Sequence, residues 1–120
     1  MKNFTIKPPP NGVVPLVHRI CEFYKVFHVC FVLFPRENKN LGLKIENNIL
    51  EILELVLTAT YLPKTNKSEL LLRASNKVDL LKYLIRLAHE VKSINLNKYL
   101  ILEKEVLEIG KMLGGWIKSI

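Results

Sequence analysis

Four stretches of this chain repeat apolar side chains at alternating steps of three and four residues. Because an α-helix has about 3.6 residues per turn, this spacing places the apolar side chains along one side of a helix. The third stretch is the clearest, and its members are Leu71, Ala74, Val78, Leu81, Ile85 and Ala88. The periodicity therefore predicts a helix in each stretch, and no stretch has to form a strand.

Prolines and short polar segments separate the four predicted helices. The helices are expected at about residues 15–34, 41–62 and 69–92, and from Tyr99 to Trp116. The valine- and phenylalanine-rich run at 26–34 would also suit a strand, but the longer helical period favours a helix. Residues 64–68 are expected to form a turn in which Ser68 caps the third helix.

Short connections between successive helices favour an all-α, up-down-up-down antiparallel four-helix bundle. We assign residues 13–120 to this domain and residues 1–12 to an N-terminal tail. Pro8, Pro9 and Pro10 in that tail favour an extended conformation, and Asn11-Gly12 indicates a turn.

The composition suggests one basic domain with an anionic partner. The 120 residues are 49% hydrophobic and carry a formal charge of +7, which favours nucleic acid or a membrane surface as partner, although solubility alone would also explain it.

Cys21 and Cys30 lie nine residues apart and so point to opposite sides of one helix; we expect buried, unbridged thiols in the cytoplasm. The N-terminus lacks the apolar core of a signal peptide, and the run at 26–34 is too short to span a bilayer.

The sequence displays no recognisable catalytic or metal-binding motif. His18, His28 and His89 are scattered and match no ligand spacing. Glu51 and Glu54 lack the Glu-x-x-His partners of a di-iron bundle and are expected on a solvated face. We therefore predict a protein that is not an enzyme and that needs no metal or other cofactor.

Basic residues concentrate in the third predicted helix. Residues 64–92 hold seven positive and three negative side chains, a net charge of +4, whereas the second helix is acidic. Lys82 and Arg86 lie one turn apart with His89 nearby, and Arg73 and Lys77 form a pair on another side. Two interpretations remain equal: the cations bind phosphates, or they flank the apolar stripes and extend into water.

The third helix carries a second apolar stripe, which consists of Leu80, Leu84, Leu87 and Val91. Its burial would contribute roughly 6 to 12 kcal/mol, at about 1.5 to 3 kcal/mol for each side chain. The stripe requires either a wide core within one bundle or an interface with a second subunit.

Three glycines and the single tryptophan end the chain in an unusual combination. Gly110 and Gly114 share one side of the fourth helix, where each costs about 1 kcal/mol relative to alanine. We expect that cost to be offset by close packing against a helix of the same chain or of a neighbouring subunit. Gly115 is expected to loosen the helix end, and Trp116 is expected to be a buried anchor, with an interface role as the alternative.

Two stretches of the chain resemble the accessory variability determinant proteins of diversity-generating retroelements. They are ELLLRASNKVDLLKYLIRLAHEVKSINLNKYL at 69–100 and EIGKMLGGWIKS at 108–119. FPRENKNLG at 34–42 is similar to the loop between the first two helices of that family, although Lys39 and Asn40 stand where an arginine and an aromatic are usual. A related branch is encoded in intervening sequences of bacterial ribosomal RNA genes.

The resemblance implies a four-helix bundle that assembles into a basic homopentameric ring. It implies no catalysis, but binding of RNA, DNA and the retroelement's reverse transcriptase in support of mutagenic cDNA synthesis from a template RNA. The matched basic residues that we expect to contact nucleic acid or the reverse transcriptase are Arg73, Lys77, Lys82, Arg86, Lys92, Lys111 and Lys118. The residues expected at the subunit interface are Leu80, Leu84, Leu87, Val91, Gly110, Gly114 and Trp116. A structural or protein-interaction bundle of the ribosomal RNA intervening-sequence type is the alternative function.

Overall fold

The computed structural model describes the backbone of residues 13–120 and contains four α-helices. These are α1 (Val13–Val32), α2 (Lys39–Thr60), α3 (Lys64–Glu90) and α4 (Leu96–Ser119), with a 3₁₀ turn at Arg36–Asn38 before α2. No strand occurs within residues 13–120, so the predicted all-α class is confirmed there. The predicted tail at 1–12 lies outside the described residues.

The helices surround a single core in the order of the chain. Each helix packs against the next, and α4 packs against α1, whereas the diagonal pairs α1 with α3 and α2 with α4 do not pack within residues 13–120. The connections at 33–38, 61–63 and 91–95 are too short to return the chain to the same end of the bundle. Consecutive helices therefore run antiparallel.

The predicted apolar series form the core. All the predicted core residues of α1, α2 and α3 are buried, as are Leu102, Val106, Ile109 and Leu113 of α4. Tyr99 and Trp116, at the two ends of the α4 series, are only half-buried and pack against this core. Burial of each large side chain stabilises the fold by about 1.5 to 3 kcal/mol, which makes this core the dominant favourable contribution.

The cysteine prediction is half right. Both thiols are unbridged, as the nine-residue spacing predicted, and Cys30 is buried. Burial raises the pKa of the Cys30 thiol. Cys21 was expected to be buried but is only half-buried, because its position falls one residue beyond Ile20 and outside the core series.

The predicted turn at 64–68 is wrong, because α3 already begins at Lys64. Pro63 precedes the helix, with its fixed φ of −58°, and the Asn66 amide donates to the Pro63 carbonyl at 2.9 Å. Ser68 therefore lies inside the helix and caps nothing. The segment is polar but still contacts the core: Lys67 is buried, and its Nζ lies 5.8 Å from the centroid of the Trp116 ring.

Lys92, whose backbone is in the left-handed conformation, follows the end of α3. The Ser93 amide donates to the Ala88 carbonyl at 2.8 Å and the Lys92 amide to the His89 carbonyl at 3.0 Å, which is the hydrogen-bond pattern of a Schellman motif. Lys92 has φ of 65°, the conformation that this motif usually gives to glycine. Asn95 then caps α4, since its side chain accepts from the Lys98 amide at 2.9 Å. The fourth helix therefore starts at Leu96, within the segment that was expected to be a connection.

Candidate nucleic-acid interface

One flank of α3 borders α2 and holds Lys77 in an ion pair. The Lys77 Nζ lies 2.8 Å from Oε2 of Glu51, and the buried Asn48 amide donates to the Lys77 carbonyl at 2.9 Å. The hydrogen bond from Lys77 lowers the pKa of the Glu51 carboxyl. Arg73, one turn earlier, is exposed and forms no ion pair with any described residue. Of this predicted pair, Arg73 is the better available for an external anion.

The opposite flank of α3 borders α4 and contains Lys82 and Arg86. These two residues, Tyr83, and Tyr99 and Glu103 of α4 line a cleft of about 220 Å³. The Lys82 Nζ lies 3.5 Å from Oδ1 of Asp79, a long contact between side chains that are both solvent-accessible, so it neutralises little of the lysine charge.

Tyr99 organises the inner wall of this cleft. Its hydroxyl donates to Oε2 of Glu103 at 2.6 Å, and this hydrogen bond raises the pKa of Tyr99. A side-chain hydrogen bond with Tyr99 in turn raises the pKa of Arg86, a guanidinium that is charged at any ordinary pH. His89 stacks on Tyr99 with 4.8 Å between ring centroids, and its Nδ1 lies 3.1 Å from the Ile94 carbonyl. Sequence reasoning missed Tyr99 and Glu103 as cleft residues, because their position depends on how α3 and α4 align.

Most of the predicted cations remain unpaired. Among residues 13–120, five of the seven form no ion pair, and all five are exposed: Arg73, Arg86, Lys92, Lys111 and Lys118. They do not form one continuous patch, because Arg73 and Arg86 lie on different flanks of α3 and two of the lysines lie on α4. A long polyanion could reach several of them, whereas a small anion could not.

The predicted second stripe of α3 is not part of the core. Leu80, Leu87 and Val91 are 40%, 44% and 41% exposed, and Leu84 is half-buried. Leu84 packs against the core, so the wide-core interpretation holds for that residue alone, and the other three members form an apolar surface without a partner among the described residues. It borders α2, because Leu84 lies two turns beyond Lys77, the residue that contacts Glu51.

The glycines of α4 have no close backbone neighbour in the part of the chain that the structure describes. A β-carbon at Gly110 would make ordinary contact with Val78 Cγ1 at 3.5 Å, and one at Gly114 or Gly115 would meet no described atom within 4 Å. Close packing against the same chain therefore does not explain Gly114. Gly115 does not loosen the helix end either, since α4 continues to Ser119. Gly110 faces Val78 and Lys82, so the glycines and the α3 stripe lie on different sides of the molecule.

The described residues offer little support for other kinds of site. No group of three potential metal ligands lies close together among them. None of the helices within residues 13–120 is long and apolar enough to cross a bilayer. The exposed leucines are more informative: Leu43, Leu50 and Leu57 on α2, and Leu96, Leu100 and Leu107 on α4. The three on α2 are spaced by seven residues, as are Leu100 and Leu107 on α4, and this spacing is visible in the sequence.

Comparisons with known proteins agree with the helical architecture. A family model described as bAvd-like matches residues 14–120. A solved structure of a protein of unknown function from the S23 ribosomal protein family of Bacteroides thetaiotaomicron VPI-5482 superimposes with a TM-score of 0.80. It is 17% identical in sequence, and the match covers 89% of this chain and 98% of that one, so the similarity supports the fold alone. Comparison with curated protein sequences gives no match.

Proposed function

This chain belongs to the bAvd-like family, whose model spans residues 14–120, and on that basis we propose that it is a non-catalytic accessory protein of a diversity-generating retroelement. In this role it binds nucleic acid and the reverse transcriptase, and it supports mutagenic cDNA synthesis from a template RNA. The working unit is the domain at 13–120, and the site of action is the cytoplasm, where template RNA is present.

The observation that carries the nucleic-acid part of the proposal is the set of free cations on α3, on α4 and in the connection between them. Arg73, Arg86, Lys92, Lys111 and Lys118 are exposed and unpaired among the described residues, in a chain of net charge +7. Each phosphate that such a side chain contacts releases a condensed counterion, which gives affinity without base preference. Lys82 adds to this set because its contact with Asp79 is long and exposed.

The cleft between α3 and α4 supports a contact with nucleic acid that includes stacking. Arg86 and Lys82 lie at its edge, and Tyr83 beside them is 69% exposed. Cations track the phosphate backbone, and an exposed tyrosine ring can stack on a base of any sequence. We therefore place the principal nucleic-acid contact on this side of α3 and leave Arg73 and Lys77 as a secondary contact.

Self-assembly is the second part of the proposal. The exposed Leu80, Leu87 and Val91 with the half-buried Leu84 form an apolar surface that water would otherwise cover. Gly110 and Gly114 belong to another face of the chain, on α4, and together the two faces support a homopentameric ring in which each subunit uses both. Trp116 lies about 200° around the helix from Gly114 and packs against the core. A ring would also gather the cations of several subunits around one polyanion.

The nucleic-acid proposal can be tested by charge reversal at the cleft. A variant with Lys82→Glu and Arg86→Glu should bind both RNA and single-stranded DNA at least tenfold more weakly in fluorescence anisotropy at low salt, with unchanged helicity by circular dichroism. The matched control is Lys25→Glu with Lys44→Glu, which makes the same charge change on α1 and α2. Equal losses in the two variants would mean that net charge, rather than this cleft, determines binding.

The reverse transcriptase contact needs its own assay. We expect the wild-type protein to co-purify with the reverse transcriptase of the same element in nuclease-treated extracts. A reverse transcriptase gene with template and variable repeats beside the coding sequence would identify the element. Absence of complex with nuclease-treated enzyme would remove the protein partner from the proposal and leave nucleic-acid binding intact.

The second candidate is a structural or protein-interaction bundle of the ribosomal RNA intervening-sequence type. The likeness in fold to a structure from the S23 ribosomal protein family, with a TM-score of 0.80, favours it. Under this alternative, gel shifts with several RNA and DNA probes would show no complex despite the positive charge.

A further inference from the structure

Two helices on opposite sides of the bundle carry exposed leucine rows of matching spacing. Leu43, Leu50 and Leu57 form a row along α2, and Leu100 and Leu107 form a row along α4 that Gly114 continues. Seven residues are nearly two helical turns, so successive members of each row lie about 10.5 Å apart and drift by only about 20° around the helix. Both rows therefore extend about 21 Å along nearly straight lines.

The charges beside the two rows are opposite and available. Glu54 lies on the outer face of α2 next to Leu50 and Leu57, and it is exposed with no ion pair among the described residues. Beside the α4 row runs a second seven-residue series, Lys104, Lys111 and Lys118, which is exposed and likewise unpaired within residues 13–120. The α2 face, with its leucines and one free carboxylate, is thus complementary to the lysine side of the α4 row, whereas Glu103 borders Leu107 on the other side of that row.

The rows cannot meet within one chain, because α2 and α4 are diagonal helices that do not pack together. Gly114 supplies a further match between different copies. A β-carbon there would meet no atom of residues 13–120 that the structure describes within 4 Å, so among these residues the α4 row ends in a gap where a leucine of another helix can sit. The exposed stripe of α3 borders α2 and would enlarge the apolar area on that side.

We propose that the α4 face of one copy packs against the α2 face of a second copy of this chain. The contact joins two different surfaces, so each bound copy offers a free face to the next, and the assembly either closes into a ring or extends. This inference rests on the self-assembly part of the proposed function and specifies the surfaces through which it occurs. Burial of the Leu50 and Leu107 rows provides the affinity, and Glu54 opposite the lysine series sets the orientation.

Two single variants and their mixture test the pairing. Leu50→Glu damages the α2 face and leaves the α4 face intact, and Leu107→Glu damages the α4 face and leaves the α2 face intact. Because Leu107 also lines the cleft between α3 and α4, only the mass of the assembly is measured for this variant. Each variant alone should fall to the mass of a single chain by size-exclusion chromatography with light scattering, at a concentration where the wild type is larger. In an equimolar mixture each variant still has one intact face, so the mixture should form dimers of twice the chain mass and nothing larger. Val29→Glu, an exposed apolar position on α1 outside both rows, should keep the wild-type mass.

The outcomes separate this inference from the proposed function. A wild type that assembles, together with Leu50→Glu and Leu107→Glu variants that also assemble, would overturn the pairing and leave self-assembly standing. Variants that stay monomeric when mixed would show that the two faces do not bind each other, which also overturns it. A monomeric wild type would remove self-assembly from the proposed function as well. Unchanged helicity by circular dichroism in the variants excludes misfolding as the cause of any loss.

Discussion

Lys92 occupies a backbone conformation that glycine adopts more easily, so Lys92→Gly should stabilise the protein. Its φ of 65° places it in the left-handed region, at the position of the Schellman motif where the Lys92 and Ser93 amides bind the last carbonyls of α3. A residue with a β-carbon pays about 1 to 2 kcal/mol for a left-handed conformation, and glycine does not. The lysine is therefore held in this conformation at a cost in folding free energy. It is also one of the cations of the proposed nucleic-acid surface.

The expected gain in the free energy of unfolding is the strain energy that glycine removes, minus the entropic stabilisation of the unfolded chain, which is more flexible with glycine. Glycine costs about 0.4 to 1 kcal/mol through the unfolded state, which leaves a net stabilisation of about 0.5 to 1 kcal/mol. The entropy of unfolding is about 2.1 cal/mol/K per residue, or about 0.25 kcal/mol/K for 120 residues. The Tm should therefore rise by about 2 to 4 °C.

The assay compares Lys92→Gly with Lys92→Ala at equal protein concentration, by thermal and urea unfolding. Alanine removes the charge but keeps the β-carbon, so it should leave stability within about 0.5 kcal/mol of the wild type. Both variants lose one phosphate contact, and each should lower the salt dependence of nucleic-acid binding by about 0.7 to 0.9 in log–log slope. If Lys92→Gly is no more stable than Lys92→Ala, the strain argument is wrong.

Three further predictions follow from individual contacts. Gly42→Ala should destabilise the fold by about 1 to 3 kcal/mol in urea unfolding, because the added β-carbon would overlap the Phe31 ring, whereas Gly115→Ala has open space and should not. Glu103→Gln should lower the pKa of Tyr99 in a titration of ultraviolet absorbance. The raised pKa of Tyr99 stabilises the fold below pH of about 10, the ordinary value, and this contribution is lost as pH rises through the folded-state pKa, so Glu103→Gln should flatten that alkaline decline. Gly114→Leu should fill the gap in the α4 row and alter the mass of the assembly by light scattering; an unaltered mass would mean that Gly114 only shapes the end of the chain.

The core of the fold was predictable because helical periodicity is a local property. The apolar series of α1, α2 and α3 are buried throughout, since each repeats at the helical period along its whole segment. Helix ends were less predictable. Residues 64–68 contain no periodic apolar residue, and the buried position of Lys67 against Trp116 depends on a helix some 50 residues later in the chain.

The candidate site was predictable in its residue types but not in its arrangement. The excess of cations on α3 is evident from the sequence, and five of the seven predicted cations are unpaired among residues 13–120. The Lys77–Glu51 ion pair, in contrast, depends on the alignment of α2 against α3, which periodicity does not determine. The Tyr99 cleft likewise depends on the alignment of α3 against α4. Nothing in the sequence marks the residues that α4 contributes as cleft residues.

The second stripe of α3 is a sequence pattern that is compatible with two kinds of packing. Periodicity predicts that Leu80, Leu84, Leu87 and Val91 share a face, but it cannot distinguish a wide core from a subunit interface. The outcome depends on how far α3 is rotated about its axis within the bundle. Leu71, Val78 and Ile85 occupy the interior, which leaves the stripe on the surface beside α2.

The most direct test of the central claim is the salt dependence of nucleic-acid binding by the intact wild-type protein. We expect log K for a single-stranded RNA to fall linearly with log salt concentration between about 50 and 200 mM, with a slope of about −0.7 for each phosphate contacted. Arg73, Arg86 and Lys92 are free cations among the described residues and lie off the α4 face of the proposed contact between copies, so they predict a slope of about −2 or steeper, with little difference between RNA sequences. An affinity that does not change over this range, or binding to one sequence alone, would contradict the account.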